Sequence, residues 1–148
     1  MRRRRLSPDQ PQAWINRARS DLAIAQSEIP EAYREDLCCH AQQCAEKAMK
    51  AMLLKHTGGF PYIHDLAELA NRIMTAGMSV PDGVLEAVSL TQYAVEGRYP
   101  GPNEPVSETE WQDAIRMAKT VLSWVETSIS PKRKVLRKSS RGIPSKRK

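Results

Sequence analysis

Between Leu37 and Leu54 the chain reads Leu-Cys-Cys-His-Ala-Gln-Gln-Cys-Ala-Glu-Lys-Ala-Met-Lys-Ala-Met-Leu-Leu, and few folds can accommodate it. Leu37, Ala41, Cys44, Ala48 and Ala51 recur at helical spacing. Cys38, Ala45, Met49 and Met52 form a second stripe beside the first. Two adjoining apolar stripes require a helix with partners on two sides, and the many Ala and Cys side chains let those partners approach closely. The remaining edge carries His40, Gln43, Glu46, Lys47 and Lys50. A helix of this kind is the central member of a bundle, with one polar edge left over.

The flanking sequence supplies the other members. A first helix is expected from Gln12 to Glu28, with Trp14, Ala18, Leu22 and Ala25 at helical spacing and Ile15 and Ile24 beside them. Pro30 ends it and suits the start of the central helix, expected from Glu31 to His56. Thr57-Gly58-Gly59-Phe60-Pro61 breaks the pattern. A third helix is expected from Asp65 to Ala76 with Leu66, Leu69, Ala70 and Ile73 inward, and Gly77 closes it. A fourth is expected from Asp82 to Glu96 on Val84, Leu85, Val88, Thr91, Gln92 and Val95. Gly97 to Pro105 holds three prolines and two glycines and must be a loop. Ser107 with Glu110 forms a capping box for the last helix, which runs to Ile129 through Trp111, Ala114, Ile115, Ala118, Val121, Leu122 and Val125. No alternating strand pattern occurs. The expected fold class is all-α, an antiparallel up-and-down bundle of four long helices plus a shorter one.

Charge divides the chain into three parts. Arg2 to Arg5 contribute four of the 23 basic residues, and Lys132 to Lys148 contribute nine more without a single acid. The remaining ten face all 17 acids, so the body between the tails carries about −7. The expected organisation is therefore a basic disordered tail over residues 1–11, a helical domain over 12–129 and a second basic disordered tail over 130–148. The sequence shows neither an apolar run of membrane-span length nor an apolar core behind the initial arginines. A cytoplasmic protein without a membrane contact is expected.

Cys38, Cys39 and Cys44 lie within seven residues on one helix and point to different faces, so they cannot form a disulfide framework. His40 and Cys44 share a face at i, i+4, but no second ligand pair completes a metal site. Packing is the expected role of the thiols, with no metal and no cofactor. Trp14, Trp111 and Trp124 read as anchors of the core or of a dimer interface.

Four segments in order carry a resemblance. They are Trp14 with Ala18 and Asp21-Leu22; His40-Ala41-Gln42-Gln43 with Ala45-Glu46-Lys47-Ala48 and Lys50-Ala51; His64-Asp65-Leu66; and Arg98-Tyr99-Pro100. Together they resemble the HEPN family, the nucleotide-binding domain of higher eukaryotes and prokaryotes, over about Gln12 to Ile129. The resemblance implies a bundle of four to five helices that usually dimerises. It also implies one of two activities. Many family members are metal-independent ribonucleases with an R-x(4–6)-H motif late in the bundle, in which arginine positions phosphate and histidine acts as general acid or base. Arg98 stands in the place of that arginine, but Asn103, Glu104 and Pro105 occupy the positions of the histidine, and no histidine follows His64. Arg34 and His40 match the motif as a string, on the second helix instead of the late one. The other implied role is to bind a nucleotide, or to act beside a separate minimal nucleotidyltransferase, in some cases as half of a toxin–antitoxin module.

The resemblance thus implies a homodimer with a nucleotide or RNA as ligand, no catalytic residues of the usual kind, and a ribonuclease with His64 replacing the missing histidine as the alternative. The candidate nucleotide- or phosphate-binding residues are Arg98, Tyr99, His64, Asp65, Gln43 and Lys47. A guanidinium at Arg98 can grip phosphate in a bidentate fork, and Tyr99 can stack beside it. Arg98 equally suits a pairing with Glu96 or Glu46. His64 and Asp65 suit either a cleft shared with Arg98 or the cap of the third helix. Gln43 and Lys47 share one face, on a stripe that a solvated or dimer-facing surface also explains, with Glu46 and Lys50 an i, i+4 pair. A third role is nucleic-acid binding by the tails through counterion release. It predicts a steeply salt-dependent affinity for nucleic acid that deletion of Met1–Arg5 and Pro131–Lys148 abolishes in a titration; affinity surviving the deletions rules the tails out.

Overall fold

The computed structural model describes residues 5–94, 100 and 105–130. Five α-helices and one 3-10 segment follow in order: α1 (Pro11–Ala25), α2 (Arg34–Thr57), α3 (Leu66–Thr75), α4 (Asp82–Glu86), the 3-10 segment Ala87–Tyr93 and α5 (Glu108–Ile129). The protein is all-helical, as the periodicity requires, and α2 is its centre. Both of its expected stripes are buried, from Leu37 and Cys38 through Met52. The end of α1 meets the start of α5, where the Trp111 indole Nε1–H donates to the Ala25 carbonyl over 2.8 Å. At the same end the Val106 amide donates to Glu35 on the first turn of α2. At the other end Trp14 stacks edge-on against Phe60, just past α2, with ring centroids 4.9 Å apart. These contacts set α1 antiparallel to both α2 and α5. No helix among the described residues is long and apolar enough to cross a membrane.

Local chemistry sets the helix ends. Ser107 and Glu110 form the expected reciprocal box, Glu110 N–H to Ser107 Oγ at 3.0 Å and Ser107 N–H to Glu110 Oε1 at 2.8 Å. Gly58 closes α2 at φ +87°, a conformation that a Cβ would penalise, and returns its N–H to the Leu54 carbonyl. Before α1, a turn joins the Gln10 N–H to the Ser7 carbonyl, and the Trp14 indole donates to the Pro8 carbonyl. Ordered structure therefore reaches back into the stretch expected as an N-terminal tail. Residues 1–4 and 131–148, where most of the basic residues of the tails fall, lie outside the described residues.

Three helices differ from expectation: α1 ends at Ala25 rather than Glu28, with Gln26 as its C-cap, and two others depart further. The central helix begins at Arg34, not after Pro30. Tyr33 is its extended N-cap, and Pro30 belongs to a turn that joins the Ala32 N–H to the Ile29 carbonyl. The fourth helix is one turn of α-helix that tightens into a 3-10 segment. Its fully buried side chains are Val84, Ala87 and Leu90, spaced by three, the repeat of a 3-10 helix. Leu85, Val88 and Thr91 are only half-buried and Gln92 is exposed. Over so short a segment the periods 3.0 and 3.6 select overlapping positions, and packing against α5 chooses between them. Val95, also expected inward, lies outside the described residues.

The core of α2 relies on small side chains, with Ala41, Ala45, Ala48 and Ala51 completely enclosed. Ala48→Leu is expected to destabilise the protein by about 1–3 kcal/mol through overpacking, read as a shift in the urea midpoint with an unchanged slope. A loss below about 0.5 kcal/mol would show that the helices have room to move apart.

Candidate functional site

The polar edge of α2 is not a solvated surface. Gln42, Glu46 and Lys50 recur every four residues and are all buried, at 1%, 8% and 4% exposure. The Lys50 ammonium donates to Glu46 Oε2 over 2.8 Å, and Gln42 donates to Glu46 Oε1 over 3.0 Å. The pair expected from i, i+4 spacing is therefore present, but as an enclosed ion pair. The connection from Phe60 to Asp65 encloses it. Lys50 Nζ lies 5.3 Å from the Phe60 ring centre and 6.0 Å from that of Tyr62, distances at which an aromatic face attracts a cation. Gln42 also donates to the His64 carbonyl over 3.3 Å, fixing the connection to the helix.

His64 completes the cluster. Its Nδ1 lies 2.8 Å from Glu46 Oε2, while the side chain remains about half exposed at 52%. Tyr62 meets the imidazole edge-on, centroids 5.3 Å apart, and is itself exposed. Burial alone would raise the Glu46 pKa, but hydrogen bonds from Lys50, His64 and Gln42 outweigh it and hold the carboxyl below its usual 4.5. Glu46 is thus an anion at neutral pH. Asp65, next in sequence, does something else: its Oδ1 accepts from the Ala67 N–H over 3.0 Å and caps α3. The adjacent candidates His64 and Asp65 therefore separate, one into the cluster and one into a cap.

Gln43 and Lys47 face a different partner. Lys47 donates to Asp21 Oδ2 over 2.6 Å, and His40 Nδ1 lies 2.9 Å from Asp21 Oδ1. Asp21 comes from α1 and is only 5% exposed. Gln43 points its amide at Cys39 Sγ over 3.5 Å. Asp21 was missed as a site residue, although its position was readable: it falls three after Ala18 and four before Ala25, on the buried stripe of α1. A carboxylate on an apolar stripe must find a cation, and Lys47 with His40 provides it. Each of the two buried carboxylates thus holds one lysine and the Nδ1 of one histidine.

The remaining candidates resolve as follows. Arg98 and Tyr99 lie outside the described residues. The described chain stops before them at Ala94, whose carbonyl lies 3.8 Å from Cys39 Sγ, and resumes through Val106, bonded to Glu35. Glu35, Cys39, Gln42 and Glu46 are spaced four, three and four apart, so they lie on one face of α2. Arg34 and His40 do not converge: Arg34 reaches the Val106 carbonyl at 3.4 Å and Glu108 at 3.8 Å, while His40 turns to α1. Among the described residues Glu46 accepts from Lys50, His64 and Gln42. Burial pushes the Cys38 and Cys44 thiols up to about 12, so neither is a nucleophile or a ready metal ligand at neutral pH. Among the described residues no group of three His, Cys, Asp or Glu side chains could hold a metal ion. Beyond Phe60 and Pro61 an open hollow of about 780 Å³ extends over α3, lined also by Leu53, Glu68, Asn71 and Arg72. Its charges are paired, Arg72 Nε to Glu68 Oε2 at 3.2 Å.

Because the folded-state pKa of Glu46 is depressed, its stabilisation is complete above about pH 4.5 and is lost as pH falls through the lower folded value. Glu46→Gln leaves the Lys50 ammonium without its anion and is expected to cost about 2–4 kcal/mol at neutral pH. In urea unfolding across pH, the gap between wild type and variant should close in acid, as the wild-type carboxyl protonates. A gap that persists unchanged at about pH 3 would mean that the carboxylate is not the source of the stability.

Comparison with known proteins follows the same outline. The HEPN domain model matches residues 11–128. Two solved structures are similar over nearly their whole length. The structure of TT1696 from Thermus thermophilus has a TM-score of 0.67 at 28% identity, covering 80% of this chain and 98% of that one. ST0689, described as an archaeal HEPN homologue, has a TM-score of 0.64 at 28% identity, with 82% and 98% covered. No curated protein matches. A family match running from the first residue of α1 almost to the last of α5, on an all-helical bundle with these neighbours, is sufficient: the chain belongs to the HEPN domain family.

Proposed function

We propose that this HEPN protein binds a nucleotide, either free or presented by a nucleotidyltransferase partner, as a homodimer in the cytoplasm, and that it is not itself catalytic. The observation that carries this reading is the half-exposed pair Tyr62–His64 fastened to the buried Glu46–Lys50 pair. The pair offers an aromatic edge for a base and one ring nitrogen for a polar contact, on a foundation that costs little further ordering when a ligand arrives. Arg98 is the phosphate ligand of the proposal, with Tyr99 beside it. The described residues on either side of that segment meet α2 on the face that carries Gln42 and Glu46, which supports one composite site. Lys47, held by Asp21, and Gln43, against Cys39, lie on the neighbouring edge of α2 and stand outside this site. The toxin–antitoxin pairing belongs to the same proposal, with the nucleotidyltransferase as the other half.

A second reading is favoured by His64 specifically. A carboxylate-anchored imidazole on a half-exposed side chain, its other nitrogen without a hydrogen bond among the described residues, has the arrangement of a general base. As a ribonuclease, the protein would cleave RNA without metal and arrest growth on expression, with both effects lost in His64→Ala.

Isothermal titration calorimetry with ribonucleotides distinguishes the readings. Binding without turnover, weakened at least about ten-fold by Arg98→Ala through the loss of a charge-assisted contact, supports the first. Cleavage of an RNA substrate supports the second. Absence of both binding and any co-purifying partner removes the first altogether.

A further inference from the structure

We infer that His64 reads the sugar of the bound nucleotide, using Nε2 as a hydrogen-bond acceptor for a ribose hydroxyl and so favouring ribonucleotides over deoxyribonucleotides. This rests on the nucleotide-binding reading of the same site. The argument begins at Glu46. Its Oε2 receives the Lys50 ammonium at 2.8 Å and its Oε1 receives the Gln42 amide at 3.0 Å. A carboxyl group holding a buried ammonium at that distance is ionised, and an ionised carboxylate can only accept. The His64 Nδ1 at 2.8 Å from Oε2 must therefore carry the hydrogen and donate it.

The consequence falls on the opposite side of the ring. In the neutral imidazole only one nitrogen is protonated, so Nε2 keeps its lone pair. It makes no hydrogen bond among the described residues, and the half-exposed side chain leaves it accessible. An unprotonated nitrogen repels phosphate oxygen and attracts O–H or N–H. The Tyr62 ring, edge-on at 5.3 Å and largely in solvent, offers the base a stacking surface beside the imidazole. A ribose hydroxyl is then the donor nearest to hand, and the 2′-hydroxyl is the group by which proteins distinguish RNA from DNA. His40 is the internal control. Asp21, held by Lys47, fixes its Nδ1 in the same way, but among the described residues no aromatic ring packs against it as Tyr62 does against His64.

The test has two readouts on the full-length chain. Long-range proton–nitrogen correlation spectra at about pH 8, above the ordinary range of histidine, should show Nδ1 protonated and Nε2 bare in His64. The His64 signals are identified by their loss in His64→Phe. Titration with AMP and CMP against their 2′-deoxy counterparts should then give about five-fold tighter binding of the ribonucleotides, the worth of one neutral hydrogen bond. In His64→Phe, which keeps a ring beside Tyr62, that ratio should fall to about one. An Nε2-protonated tautomer, equal binding of the two sugars by the wild type, or a preference that survives His64→Phe each overturns the inference. Equal binding does so while leaving the nucleotide-binding reading intact. If neither sugar binds, both fall together.

Discussion

The ion pair between Glu46 and Lys50 is the constraint around which the polar side of the molecule is arranged. Two opposite charges buried one helical turn apart are costly unless every remaining lone pair and N–H is occupied. Gln42 and His64 complete the demands of the carboxylate, while Phe60 and Tyr62 lie against the ammonium. The connection between α2 and α3 is held in place by these contacts. Phe60 against Trp14 adds an apolar anchor to the same stretch. The contacts at Glu46 also orient His64, so the ordering of the connection and the chemistry of the ring share an origin.

The second carboxylate repeats the device between helices. Asp21 on α1 takes Lys47 and His40 from α2, placing a polar lock on the helix face that otherwise buries Ile15, Ala18 and Ala25. Close packing of small side chains brings the two backbones together but specifies their relative height poorly. A buried carboxylate with two donors has one satisfactory position. The register of α1 against α2 is set where Asp21 meets Lys47.

Much of the fold was legible because its signals are local. The stripes of α2, α3 and α5, the Ser107–Glu110 box and the Gly58 stop each depend on residues within one or two turns. The failures share the opposite property. Pro30 is a plausible first helical residue by itself, but Tyr33 is the N-cap, and a single residue 71 and 72 positions away, Val106, bonds Glu35 and Arg34 in the first turn that follows. The 3-10 segment is chosen by packing of Val84, Ala87 and Leu90, which local periodicity could not distinguish from an α-helix. At the site, His64 was recognised but its partner was not. By its spacing Glu46 is half of a surface i, i+4 pair, because burial of a polar stripe depends on what folds over it.

The order of residues alone determined that this chain forms an all-helical bundle with α2 at its centre, and which family it resembles. Helical spacing of small apolar side chains leaves no other economical way to bury them, and an ordered set of motifs is readable before any folding. It also determined that no histidine follows Arg98, since absence from a sequence needs no structure. Only the tertiary structure decided what the polar edge of α2 does. Whether Lys50 faces water or Phe60, and whether His64 caps a helix or bonds Glu46, depends on how the connection after α2 returns across it. Adjacent residues 64 and 65 took opposite roles for that reason: one side chain points along its own backbone to the start of α3, and the other reaches a carboxylate 18 residues away.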